Sequence, residues 1–394
     1  MFGLLAANAI STTGSMMTLV AIPWFVLQTT GSAAKTGIAT AVAALPVILG
    51  SALGGALVDR LGFKTASVLA DLGSAASVIL IPLMYHTTGL AFWQLLLFVF
   101  LRGLFDSPGN TARTSMLPDL ADRAGLPRSQ VNAASQGIQR GAALLGPAIA
   151  GVLIAFIGAS HVLWVDAGSF AVSALIVTVA IPGLLVGRAD VSRSAGYLSE
   201  ILDGLRFVRR NGLLLAIALT AAASNFCDGL LTVAAPVYAQ DVLGRPIDLG
   251  MMFSGLGAGG LTGILLFGRY GTHASRRLLF GAGFIGVGLA FGTLLLLPGR
   301  IGVVAAMFLG GVAAGPINPI LLTVFQDHTL PEMRGRIFGL LTAVAWSMIP
   351  VGRLLGGYLV EWTGLRVALA VIAAGYLLAG FTASVAPIFS RMDR

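Results

Sequence analysis

Seven charged side chains interrupt otherwise apolar stretches of the sequence: Asp71, Arg102, Asp106, Arg140, Asp166, Asp228 and Arg353. At the centre of a hydrocarbon layer such a group costs about 3 kcal/mol, so it persists where it pairs with another charge or handles an ion or substrate. A carboxylate in an apolar setting can exchange a proton as a nearby arginine approaches and recedes. Asp228 and Arg353, at similar depth on different segments, fit that chemistry, and they also fit a static salt bridge. Arg102 and Asp106 stand four residues apart, on one face of a helix, where they are expected to neutralise each other. Arg140 reaches similar depth on a polar stripe with Asn132 and Gln136, so these three charges read either as a structural Arg–Asp–Arg cluster or as a relay. Asp71 lies a turn or two from the end of its segment and is expected to pair with Arg113. Asp166, beside Trp164 near an interface, is expected to be hydrated. Trp24, Phe25, Phe226, Tyr238 and Trp346 form a candidate aromatic wall for a binding cavity, although each alone also reads as packing.

Other chemistries find no support. Cys227 stands alone, so neither an intramolecular disulfide nor a cysteine-rich metal site can form. His86, His161, His273 and His328 are scattered, and no nucleotide loop, nucleophile elbow or zinc signature is present. The chain reads as no enzyme and without cofactor or metal, and an ion gradient, with protons first, is the expected source of energy.

The elements that must position these charges follow from composition. Of 394 residues, 57% are hydrophobic and 10% charged, and the mean hydropathy is +0.91. A water-soluble surface cannot be built from that remainder. The apolar runs are continuous rather than alternating, which predicts helices and excludes a β-barrel. Twelve spans are expected, near 2–29, 36–58, 65–86, 90–113, 130–157, 161–185, 212–240, 248–270, 277–297, 301–325, 337–360 and 365–389. The first lacks a basic leader region and runs too long for a signal peptide, so it reads as a retained span. The net charge of +8 and pI near 10.4 invite a nucleic-acid reading, but the basic residues are distributed by topology. Seventeen of them fall on one side of these spans, against Lys35, Arg245, Arg300 and Arg366 on the other. By the positive-inside rule both termini are cytoplasmic.

Weak self-similarity divides the chain. Val20, Ala21, Pro23 and Gly31 match Val233, Ala234, Pro236 and Gly244; Gly146, Gly151, Leu153 and Gly158 match Gly352, Gly357, Leu359 and Gly364. Consistent order across both halves indicates a duplication. The expected domains are two pseudo-symmetric six-helix bundles, 1–186 and 212–394. A cytoplasmic linker, 187–211, joins them, with Leu198, Ile201, Leu205 and Val208 on one face of an interfacial helix.

The run Gly55-Ala-Leu-Val-Asp59-Arg60-Leu-Gly62-Phe-Lys64 resembles the loop 2–3 signature of the major facilitator superfamily, and the resemblance covers essentially the whole chain. Within it, Pro23-Trp24, Gly31-Ser32, Pro46, Pro108, Arg113 and Pro118 resemble bacterial drug and siderophore exporters of the macrolide-efflux and enterobactin-exporter type. Gly141, Gly146, Pro147 and Gly151 are similar to the fifth-helix antiporter motif, with Ala150 in place of a usual glycine. The resemblance implies a monomeric, multi-pass carrier of the bacterial inner membrane that works by alternating access. Its partners would be a small-molecule substrate and lipid, not nucleic acid. It also implies a cytoplasmic gate at Gly55, Asp59, Arg60, Gly62 and Lys64, where Asp59 meets the start of helix eleven near Arg336 and Gly339; the Asp71–Arg113 pair expected from position would belong to the same gate. Arg102 falls where the family often has an arginine linked to proton transfer. Asp228 aligns with Ser15, after Gly14, where the resembled exporters frequently carry an acid. The leading function is a proton-coupled exporter of amphipathic drugs; the alternatives are a carrier for another solute, such as a siderophore or sugar, in either direction, and a membrane sensor or scaffold that has lost transport.

Overall fold

The computed structural model describes residues 1–181, 206, 208–209, 211–271, 274–329 and 334–393, with the side chains of 47–57, 59 and 334–336 outside the description. Most of the expected linker helix, including Leu198, Ile201 and Leu205, therefore lies outside the described residues. Val208 packs with Leu214, Ala218, Ile337 and Leu341.

The described chain is helical, as lipid requires when every backbone polar group must find its partner within the segment. In order, the helices are α1 (Phe2–Thr30), α2 (Ala33–Leu61), α3 (Phe63–His86), α4 (Phe92–Arg123), α5 (Arg128–Ile157) and α6 (Ala159–Ala180). There follow α7 (Gly212–Tyr238), α8 (Pro246–Tyr270), α9 (Arg276–Gly292), α10 (Arg300–Ala314), α11 (Ile317–Asp327), α12 (Arg334–Thr363) and α13 (Leu365–Val385). Among the described residues ten helical stretches are long and apolar enough to cross a membrane, with α10 and α11 counted as one stretch; α2 and α4 are not among them. Connections are short. Gly158 at φ 83° and Gly364 at φ 90° turn the chain between α5 and α6 and between α12 and α13, a backbone region that side chains with a Cβ rarely adopt.

Two compact units result: Met1–Gly31, Ile38–Val191 and Arg245–Ser254 form the first, and Ser32–Gly37, Ser192–Gly244 and Gly255–Arg394 the second. Within the first, α1 packs on α5 and α6, and α3 on α4 and α6. Within the second, α7 packs on α12 and α13, and α9 on α10 and α13. The same pairings recur in the same order, as a duplicated chain requires.

Small residues set the crossings. In the second unit a Cβ added to Gly229 of α7 would stand 2.8 Å from Arg353 N and 2.9 Å from Gly352 Cα of α12. The two backbones are therefore in contact, the close approach that glycine permits in lipid. That crossing puts Asp228 and Arg353, each adjacent to one of these glycines, at one level.

Candidate functional site

Asp228 occupies the interior of α7. Tyr376 of α13 donates its hydroxyl to Asp228 Oδ1 at 2.5 Å and also reaches Ser224 O at 3.3 Å. The Tyr376 ring is clamped by α9: Phe284 stacks on it at 6.3 Å and Phe291 meets it edge-on at 5.7 Å. Such aromatic contacts fix the hydroxyl's position. Tyr376 itself is buried, whereas Asp228 keeps a solvent-exposed side. Arg353 of α12 lies within electrostatic reach of the carboxylate. A carboxylate with one fixed hydroxyl partner, one arginine in reach and open access can take a proton or a cation. The sequence reading missed Tyr376. Its only signal was a phenol in the middle of an apolar segment, a residue type that usually means packing.

The first unit holds two acid clusters along α6. Asp71 of α3 accepts from Arg113 Nη1 of α4 at 2.6 Å and from Ser173 of α6 at 2.7 Å. Arg113 also lines a small cavity of about 10 Å³ with Asn8, Thr114 and Ser135. Two turns along α6, Asp166 is fully buried. Its Oδ2 accepts from Thr18 of α1 at 2.5 Å and lies 3.4 Å from Arg102 Nε of α4, and the Arg102 guanidinium sits 5.5 Å from the Phe170 ring centroid.

Two expectations are corrected here. Arg102 turns from Asp106, four residues away, to Asp166, and Asp106 stands 3.9 Å from Arg113 Nη2 instead. Spacing along one helix permits a pair, but a fully buried carboxylate gains more from a guanidinium than Asp106, whose side chain is 30% exposed. In this conformation Asp166 is accordingly buried in the helix packing and not exposed at an interface. Position along α6 placed it near an interface, but the helix face it occupies is covered by α1 at Gly14, where an added Cβ would stand 2.6 Å from Asp166 Oδ1.

The remaining candidates separate. Arg140 is exposed on α5 with Asn132 and Gln136. Trp24 and Phe25 are buried, with Phe25 edge-on to Tyr85 at 5.1 Å. Tyr238 is fully buried and bonds Pro298 O at 2.8 Å. These three lie in the helix packing; Phe226 is half-buried and Trp346 is 52% exposed. In the loop signature, Gly55 and Asp59 lie in α2, with their side chains outside the described residues, and so is the side chain of Arg336. Arg60 is exposed in the last turn of α2, and Gly62 turns the chain at φ 79°. Lys64 Nζ donates to Thr178 O and Ile181 O at 2.8 and 2.5 Å, satisfying carbonyls at the end of α6. On α5, Gly146 approaches Met16 of α1, and Gly151 approaches Gly250 of α8, at 3.0 Å from an added Cβ to Gly250 Cα; Gly141 faces open space. Pro147 O faces Gly250, and Ser254 donates to Leu144 O at 2.9 Å.

A helical, multi-pass chain with helix pairings that recur in both units and a part-exposed carboxylate within a span has the form of a membrane carrier. Its sequence matches the profile of the Major Facilitator Superfamily over residues 4–343 and again over 217–391. The chain belongs to that superfamily. It is 32% identical to the multidrug efflux pump Tap of Mycolicibacterium fortuitum, over 100% of this chain and 96% of the relative. Macrolide efflux protein A of Streptococcus pyogenes is 26% identical, over 92% and 89%. Among solved structures, the nucleoside transporter NupG superposes with a TM-score of 0.79 at 14% identity, covering 97% of each chain. A bacterial homologue of the iron transporter ferroportin does so with a TM-score of 0.76 at 16% identity, over 100% and 98%. The protein is thus a multi-pass membrane transporter of a superfamily of carriers rather than enzymes.

Proposed function

We propose that this protein is a proton-coupled exporter of amphipathic, preferentially cationic, small molecules. It would be built as twelve spans in two six-helix bundles, with both termini in the bacterial cytoplasm, and act as a monomer. The single observation that carries the reading is the Asp228 site, a carboxylate deep in α7 that is held by Tyr376, faces Arg353 and keeps solvent access. A proton and a cationic substrate then compete for one carboxylate, so occupancy by one excludes the other. When the site faces outward, a proton displaces the substrate; when it faces inward, the substrate displaces the proton. That exclusion is antiport, driven by the proton gradient without any cofactor. The multidrug and macrolide efflux relatives support the direction and the substrate class. Asp59 would act at the cytoplasmic gate, as an anion at the C-terminal end of its own helix that needs the N-terminus of another for compensation.

The test is reconstitution in liposomes with ethidium as probe. An imposed proton gradient should drive ethidium against its own gradient, and collapse of the pH difference should stop it. Passive ethidium equilibration indifferent to protons would leave a facilitator for another solute, and no flux of any solute in a substrate panel would leave a sensor or scaffold.

A further inference from the structure

We propose that Asp166 is a second proton-exchanging carboxylate, housed in the first unit, a reading that rests on the proton-coupled transport proposed above. Its surroundings repeat the plan of the Asp228 site with the roles exchanged. In the second unit the acid stands on the first helix, α7, and the hydroxyl, Tyr376, on the last, α13. In the first unit the hydroxyl, Thr18, stands on the first helix, α1, and the acid on the last, α6. Each carboxylate has one arginine in reach from a third helix, Arg353 of α12 or Arg102 of α4.

The partners of Asp166 suit both of its protonation states. Thr18 donates to Oδ2, and Ser169 Oγ stands 3.4 Å from Oδ1. A hydroxyl donates to a carboxylate and, after rotation, accepts from a carboxylic acid, so neither state is left without a bond. The arginine grips loosely. Arg102 reaches Asp166 only through Nε, at 3.4 Å, and its Nη2 is buried without a hydrogen-bond partner. A fork-to-fork bridge, the geometry of permanent neutralisation, has two short bonds, as Arg128 makes to Asp122 at 3.0 and 2.6 Å. Gly14 keeps the space beside Oδ1 free of a side chain, since a Cβ there would meet both Asp166 and Ser169.

The other charged and titratable groups on the surrounding helices do not take over Arg102's role. α4 also brings Asp106 within electrostatic reach. α3 carries Asp71, engaged by Arg113 and Ser173, and, at the other end, His86, which contacts Ser160 of α6 and lies 5.5 Å from the ring of His161. α5 contributes Arg140, which is exposed, and Arg128, which bonds Asp122; α1 contributes Thr18 and no charged side chain. Protonation forms one O–H bond on Asp166 and release breaks it, the proton coming from and returning to water while Arg102 keeps its charge.

The experiment counts protons per ethidium exported by the full-length protein in liposomes loaded with a pH-sensitive dye. Wild type should exchange more than one proton per ethidium. Asp166→Asn and the charge-balanced double variant Asp166→Asn/Arg102→Gln should each lose one proton per cycle while still binding ethidium. If Asp166 only neutralises Arg102, the double variant will recover the wild-type count, and the proposal falls. Should the neutral variants not fold, Asp166→Glu decides: it should keep the count but shift the pH profile, and an unshifted profile contradicts the proposal. A wild type that moves no protons at all would instead overturn the proton-coupled reading itself.

Discussion

The Asp228–Tyr376 bond joins two side chains of the proposed coupling site from segments 148 residues apart. A hydrogen bond to a charged group contributes about 1.5–3 kcal/mol, and the Phe284 and Phe291 rings leave the Tyr376 hydroxyl little freedom to find another partner. Tyr376→Phe should therefore leave a folded protein that still equilibrates ethidium downhill but loses several-fold in proton-driven export. Unchanged driven export would remove Tyr376 from the coupling site. Asp228 was legible in the sequence because an acid in an apolar run is costly whatever surrounds it. Tyr376 was not, because a phenol there costs little and its partner is set only by folding. The Arg102 partner was misread for a related reason: the i, i+4 rule sees neighbours on one helix, and Asp166 arrives from another.

At the scale of elements, glycine positions do the work that polar contacts do elsewhere. Gly229 and Gly352 bring the α7 and α12 backbones together, and Gly37 and Gly357 do the same for the start of α2 and α12, where an added Cβ on Gly37 would stand 2.9 Å from Gly357 Cα. Gly229→Leu must push α12 away; overpacking of this kind costs about 1–3 kcal/mol and more where backbone is the obstacle. A marked drop in melting temperature and in monodisperse yield is expected, and a wild-type melting curve would show that the crossing is looser than described. The matched glycines of the two halves were visible as a repeat, but their separate duties were not: Gly146 and Gly352 meet the first helix of their own unit, whereas Gly151 and Gly357 hold the starts of α8 and α2. Beside Gly357, Glu361 accepts from Ser32 Oγ at 2.5 Å and from Ala34 N at 2.8 Å, capping α2. Glu361→Ala removes a cap of about 1 kcal/mol. Amide exchange at Ala34 should then quicken by about fivefold, and an unchanged rate would mean that the cap contributes nothing.

For the whole molecule, duplication, topology and coupling make one account. The recurrence of the same helix pairings in both units accords with the sequence repeat, and the proposed orientation rests on the uneven distribution of arginine and lysine. Accessibility labelling in cells should find the Arg193 region cytoplasmic and the Arg300 region external; the reverse pattern would overturn the topology. The central claim is that Asp228 carries the proton that drives export. Its most direct test compares two kinds of ethidium movement through Asp228→Asn in liposomes. The account predicts that this variant loses proton-driven export and keeps downhill or exchange movement of the dye. Full proton-driven export by Asp228→Asn would contradict it.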